Sequence, residues 1–386
     1  MEEGVKEKLR QQIRSYLLRL ASQSDAEHPA WNQELIRKGS GNRWNYIDGC
    51  MISGMLRFSE LIREEGLFDF SERFVSHFIS EGGEIPSYRR EEYRLDDLNP
   101  GRNLFLLFER TGKEKYRKAL QLLRGQLETQ PRTEEGSFWH KKIYQEQVWL
   151  DGIYMALPFY LEYELRFHPG DLSGLYDIVS QLRIVKKRMR EEESGLYVHG
   201  YDASRKAFWA DPESGRSPNV WLRAIGWFSL ALSDLLGLMK GFSDFQAEKE
   251  ELSGMLRELI ESLMPWQDPW SGCFYQLPKL PELKGNYIES SGSALISAAV
   301  LKAVRLSFLP EKYRSFGESI FSGIYDNFFS CDEGGELQLK NICLVAGLGG
   351  KERRDGSVRY YLSEAVVEND AKGIGPFLLA GSELLS

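Results

Sequence analysis

In GSFWHKKIYQEQVWLDGIYMALPFY, residues 136–160, one carboxylate is placed to do chemistry: Asp151, between Trp149 and Tyr154, at the entrance to an apolar helix whose Ile153, Ala156, Leu157, Tyr160 and Leu161 recur at helical spacing. A carboxyl group among aromatics is a candidate proton donor. An acidic residue in a helix's first turn is also what the macrodipole favours for stability alone. Two of the 5 histidines, His140 and His199, fall ahead of such helices, at no spacing that suggests a metal pair. Arg223 and Trp227 lie four apart on one helix face with Trp221 at its start, so a guanidinium fork and an indole plane can address one ligand. A core tryptophan with an arginine snorkelling past it fits Trp227 nearly as well. Trp44, Tyr46, Trp139 and Trp149 are further candidate walls, with core packing the default for each. Lys372 follows Asn369-Asp370 ahead of the final apolar helix; it can meet a sugar acid, and Asp370 can equally be a simple cap. Gly347-Leu348-Gly349-Gly350-Lys351 lacks the spacing and the following Ser/Thr of a phosphate loop and reads as a flexible rim loop.

The elements that must position these residues repeat along the chain. A glycine opens a short aromatic strand, then come a loop, an inward helix, a tight connection and an outward helix. GSFWH, GLYVHG, GCFYQL and GELQLK are the strand segments, and the helix starts that follow hold Asp151, Arg223, Glu289 and Asp370. The period is too long for tetratricopeptide or ankyrin arrays, and two helices per strand argue against a parallel βαβ sheet. About eleven or twelve helices are expected from the hydrophobic periodicity, including residues 1–23, a pattern over Met51 to Ile62, one from Leu67 to Ile79, a short helix closed by Gly112 and one from Glu114 to Thr129. The expectation is an all-α toroid of helical hairpins with short strands at one end. No linker or low-complexity tract divides it, so residues 1–386 read as a single domain.

Composition is that of an ordinary globular protein, 42% hydrophobic and 27% charged, and its net charge of -8 disfavours a nucleic-acid partner. The first helix has no signal-peptide pattern and no apolar run is read as long enough to cross a bilayer, so the expected location is cytoplasmic. Cys50, Cys273, Cys331 and Cys343 are far apart, which points to reduced, mostly buried thiols rather than disulfides or zinc. The aromatic share of 12% needs either an aromatic-rich core or a pocket that stacks flat ligands such as sugars.

The segment Gln147-Val148-Trp149-Leu150-Asp151-Gly152-Ile153-Tyr154-Met155, with His140 eleven positions before the Asp, resembles the signature of glycoside hydrolase family 105, the unsaturated rhamnogalacturonyl hydrolases. Residues 95–102 (LDDLNPGR), 197–202 (YVHGYD), 221–227 (WLRAIGW) and 368–377 (ENDAKGIGPF) extend the likeness, in the family's order, over nearly the whole chain. The chain departs from the pattern at Asp97, where a histidine is common, and at Leu222, where an alanine is.

The resemblance implies an (α/α)6 barrel, no cofactor or metal, and a short unsaturated oligosaccharide as partner, acted on by a monomer or weak homo-oligomer. The substrate class it implies is unsaturated galacturonyl-rhamnose from pectin, with unsaturated glucuronyl disaccharides, as in the related family 88, as the alternative. The implied chemistry differs from that of two-carboxylate glycosidases. The enol ether is protonated at C4, water adds at C5, and the hemiketal opens to release the sugar. Asp151 would be the acid that later deprotonates water. Asp96 would face it, raising its pKa by repulsion and holding water or hydroxyls, with Asp97 in reserve. His140 and His199 would hydrogen-bond in the pocket, Arg223 would pair with the uronate, and Trp221 or Trp227 would stack on the ring. A sugar epimerase on the same barrel would use the two histidines but leave the Trp-Leu-Asp-Gly block without a role. A non-catalytic oligosaccharide-binding protein would keep the aromatic cup and lose nothing with Asp151.

Overall fold

The computed structural model describes residues 3–386. Among them are fourteen α-helices: α1 (Glu3–Ser22), α2 (Gln33–Lys38), α3 (Tyr46–Ile62), α4 (Glu65–His77), α5 (Arg102–Thr111), α6 (Glu114–Glu128), α7 (Leu150–Phe167), α8 (Ser173–Met189), α9 (Leu222–Met239), α10 (Gln246–Leu263), α11 (Ser290–Arg305), α12 (Arg314–Phe328), α13 (Val358–Ser363) and α14 (Ala371–Leu385). Six of them close a ring: α14 packs on α3, α3 on α5 and the 3-10 segment Leu95–Gly101 before it, that segment on α7, α7 on α9, α9 on α11, and α11 back on α14. Outside the ring lie α1, α4, α6, α8, α10 and α12, each against an inner neighbour. This is the six-hairpin toroid, with α2 and α13 as two short additions in the loops.

Inner and outer helices differ as their sequences require. The run LRAIGWFSLALSDLLGLM of α9 is apolar on nearly every face and almost wholly buried, whereas α8 buries one side and ends in Lys186, Lys187 and Arg188. By length and composition α9 could cross a membrane, contrary to the expectation for this chain; 89% of that window is buried inside the ring. The ring helices approach closely where glycines face one another. A Cβ on Gly226 of α9 would come within 2.7 Å of Leu295, and one on Gly292 of α11 within 2.6 Å of Leu222, so any side chain there would separate the two helices.

The short strands pair only locally, in three two-stranded antiparallel ladders: β1 (Gln147–Trp149) with β2 (Gly200–Asp202), β3 (Phe329–Cys331) with β4 (Leu337–Leu339), and β5 (Ile342–Cys343) with β6 (Val366–Val367). Of the four expected strand segments, GELQLK contains β4. GSFWH and GCFYQL have one bridge each, at Phe138 and Tyr275, and GLYVHG has one at Tyr197 before β2 opens at Gly200. Their backbone groups are engaged instead in joining the repeats. The amide at the start of one inner segment donates to the extended loop of the next: Leu95 to His140 O at 3.1 Å, Leu150 to His199 O at 3.1 Å, Leu222 to Gln276 O at 3.1 Å and Ser290 to Asn341 O at 2.9 Å. The amide of Ala371 closes the circle on Trp31 O at 2.9 Å. His140, His199 and Gln276 therefore occupy one structural slot, and each sits beside the helix start of the preceding repeat. All four cysteines are free thiols, three of them buried.

Candidate active site

This relay fixes the site. Because Trp149 pairs with Gly200 in the β1–β2 register and the Leu150 amide bonds His199 O, the first turn of α7 brings Asp151 against His199. The His199 Nε2 and Asp151 Oδ2 atoms are 3.1 Å apart, yet out of line for a hydrogen bond, and neither atom has another partner in the protein. On its other side the His199 Nδ1 meets the Tyr361 hydroxyl at 2.8 Å. In the same way the Leu95 amide on His140 O sets Asp96 beside the second imidazole, with His140 Nε2 3.6 Å from Asp96 Oδ1 and Lys141 Nζ 2.6 Å from Asp96 Oδ2. Gly152 makes this possible, since a Cβ there would lie 2.8 Å from His140 Nδ1.

Trp149 stands between the two pairs. The His140 ring stacks on it at 4.3 Å, Tyr144 stacks at 4.8 Å, and His199 meets it edge-on at 5.7 Å. Above them opens a cleft of about 530 Å³, whose lining includes Tyr46, Asp96, Asp97, His140, Lys141, Trp149, Asp151 and Arg354. Its mix of carboxylates, cations and aromatic faces suits a polar, flat-faced ligand.

Charge is distributed unevenly. Burial disfavours the Asp96 anion, but Lys141 and His140 outweigh it and hold this carboxyl below its ordinary range. Burial, and then the Asp96 charge, push the neighbouring Asp97 up to about 6. Burial lowers His140 to about 4, so its imidazole is neutral over the working range of most enzymes. The Asp96 charge thus acts on its immediate neighbour, Asp97. Among the described residues, no group of three or more His, Cys, Asp or Glu side chains is arranged to hold a metal ion.

The model of Glycosyl Hydrolase Family 88 matches residues 22–386. A family 105 glycoside hydrolase of C. acetobutylicum ATCC 824 shares 41% identity with a TM-score of 0.85, over 90% of this chain and 96% of that one. The chain belongs to the glycosyl hydrolase 88/105 family. A curated relative, protein Atu3128 of Agrobacterium fabrum, is 37% identical over 240 residues, 60% of this chain and 98% of its own length. An unsaturated glucuronyl hydrolase of Bacillus sp. GL1 shares the fold at 14% identity, with a TM-score of 0.68 over 97% of this chain and 96% of that one.

As a family 88/105 glycoside hydrolase, the protein keeps some expected site residues at the cleft and withdraws others. Asp151, Asp96, Asp97, His140, Trp149 and Tyr46 line the cleft, and His199 backs Asp151 from a fully buried position. Trp44 does not line it; it is buried, and its Nε1 donates to Asp97 O at 2.8 Å, pinning the turn that carries both aspartates. Trp221 is buried behind His199, its Nε1 on Gln276 Oε1 at 3.0 Å, and Trp227 stacks on Tyr154 at 4.7 Å inside the barrel. Arg223 is 2% exposed, lies over Trp221, and gives Nη1 to Ser291 Oγ at 3.1 Å and to Cys343 O. Lys372 is fully buried between Asp370 at 3.0 Å and Glu34 at 3.1 Å. Trp221, Arg223 and Lys372 thus hold the ring together beneath the cleft, because a buried donor is retained only where it finds an acceptor.

The cleft also contains residues that sequence reading passed over: Arg43, Arg94, Lys141, Arg354 and Tyr144 beside it. Lys141 had a signal, its place next to His140 in the same loop. The rim segment 347–351 is no loose loop. Leu348 is buried with Tyr144, Trp149 and Trp209, and Gly349 and Arg354 exchange both backbone hydrogen bonds, at 2.7 and 3.1 Å.

Proposed function

We propose that the protein hydrolyses unsaturated uronyl oligosaccharides by protonating and hydrating the C4=C5 enol ether, with unsaturated galacturonyl-rhamnose from pectin as the leading substrate and action in the cytoplasm. The observation that carries this reading is Asp151, half-enclosed at the cleft with one oxygen 3.1 Å from His199 and no lysine or arginine partner among the described residues. A carboxyl so placed can give a proton to a carbon nucleophile and then accept one from water, which is the requirement of vinyl-ether hydration and needs no second catalytic carboxylate. Asp96, held charged by Lys141, serves as the fixed acceptor for sugar hydroxyls or the attacking water, and Trp149 supplies the stacking face. The Tyr361–His199 contact orients the imidazole behind the acid.

The test is the ultraviolet absorbance of the conjugated alkene-carboxylate, followed with purified protein on unsaturated galacturonyl-rhamnose and on an unsaturated glucuronyl disaccharide. Decay of absorbance in step with sugar release supports hydration, and the faster of the two substrates names the preferred leaving sugar and linkage. No decay on either substrate would leave the oligosaccharide-binding reading in its place.

A further inference from the structure

Five cations line the cleft: Lys38, Arg43, Arg94, Lys141 and Arg354. Three are neutralised by carboxylates, Lys38 by Glu34 at 3.2 Å, Arg94 by Glu92 at 2.6 Å and Lys141 by Asp96 at 2.6 Å. Arg43 is exposed, and its charge acts on Asp97. Arg354 alone is half-buried and without a carboxylate partner among the described residues. Its guanidinium is nonetheless fixed: Nη2 donates to Tyr144 Oη at 3.1 Å and Nε to Gly349 O at 3.3 Å. Both anchors belong to the wall of the site, since Tyr144 stacks on Trp149 and the Gly349–Arg354 hairpin is pinned there by Leu348. Gly347 lets the backbone pass over this group, as a Cβ would lie 3.0 Å from Arg354 Nη1 and 3.4 Å from Trp149. The remaining nitrogen, Nη1, has no hydrogen-bond acceptor in the protein, at the edge of a cleft that also holds Glu34, Asp96, Asp97 and Asp151.

An anionic sugar entering among four acidic residues needs a cation that is not already spent. Arg223, the residue expected to fill that role, gives Nη1 to Ser291 and Cys343 and is buried behind Trp221. We propose that Arg354 is the specificity residue that reads an acidic group of the bound oligosaccharide through its free Nη1, on the Trp149–Tyr144 side of the cleft. The acid is a carboxylate of the terminal uronyl residue or one on the leaving sugar; the chemistry of recognition is the same. This inference rests on the proposed substrate class.

The experiment compares wild type, Arg354→Gln and Arg354→Lys on three compounds: unsaturated galacturonyl-rhamnose, its uronyl methyl ester, and unsaturated digalacturonate. Loss of a charge-assisted hydrogen bond is expected to raise KM about 10- to 100-fold in Arg354→Gln with kcat within about threefold, and the lysine variant to fall between. A KM rise on both free acids but not on the ester identifies the terminal carboxylate. A rise confined to digalacturonate identifies the leaving sugar's carboxylate. A KM within twofold of wild type on all three overturns the proposal. If wild type turns over none of them, the proposed function fails and calorimetry decides Arg354 separately. A preference for galacturonate over methyl galacturonate that disappears in Arg354→Gln then supports the role, and an unchanged preference or no binding overturns it.

Discussion

Two imidazole–carboxylate pairs flank Trp149, and their surroundings make them different instruments. Asp96 has Lys141 at 2.6 Å on one oxygen and the neutral His140 3.6 Å from the other, so the lysine charge holds it as an anion. Asp151 has only His199 within ion-pair distance, misaligned, and its Oδ2 is buried with no hydrogen-bond partner. A carboxylate fully engaged by the protein contributes to stability and binding; one left unengaged is free to trade protons with a ligand. Asp48 makes the same point from a third repeat. It too sits in a first turn, of α3, but Trp31, Asn32, Asn42 and Asn45 surround it with hydrogen bonds, and it braces the 31–45 loop.

The contrast can be broken at either pair. Asp151→Asn is expected to lower kcat by roughly three orders of magnitude or more, in the range of a lost general acid, while KM stays within a few-fold. Its melting temperature should stay close to that of wild type, because Asp151 Oδ2 has no hydrogen bond to lose. Asp96→Asn should do the reverse in proportion: kcat down about 10- to 100-fold, with a lower melting temperature because Lys141 loses its partner. Thermal scans beside steady-state kinetics on the two variants check both halves. Tyr361→Phe, which frees His199 Nδ1, should cost about tenfold in kcat and leave KM unchanged, as expected of a group that orients the imidazole.

These expectations show what the sequence could and could not disclose. The helix starts were legible because the period of glycine, strand and apolar helix located them, and the ring bears that order out, although Glu289 and Asp370 are N-caps and stand two positions before the places of Asp151 and Arg223. Which of them faces a ligand was not, since a first-turn charge looks the same whether it meets solvent or a neighbouring helix. Arg223 and Lys372 donate to acceptors more than a hundred residues away, Cys343 O and the Glu34 carboxylate of α2, and their sequence surroundings do not record it. Arg354 escaped notice for the opposite reason: its role depends on a hairpin that packs only because Leu348 finds Trp149 and Trp209.

The smallest effects concern pH. Asp97 has a folded value of about 6, above its ordinary 3.8, so the folded state binds the extra proton between them. Its favourable contribution is full below pH 3.8 and lost as pH rises through 6, so Asp97→Asn should gain stability relative to wild type across that rise. His140 runs the other way. Its folded value of about 4 lies below the ordinary 6.5, so its contribution is present above pH 6.5 and lost as pH falls through 4. His140→Gln, which installs the residue found at the equivalent Gln276, should therefore lose less stability than wild type on acidification. Denaturant midpoints between pH 4 and 7 for the two variants should tilt in opposite directions.

The most direct measurement runs the reaction in D2O with unsaturated galacturonyl-rhamnose and follows the product by proton NMR, with wild type and Asp151→Asn in parallel. The expected result is deuterium delivered to C4 on a single face by wild type, at the rate of sugar release, and no comparable turnover by the variant. Equal turnover by Asp151→Asn, or sugar release that precedes loss of the double bond, would contradict Asp151 as the acid of an enol-ether hydration.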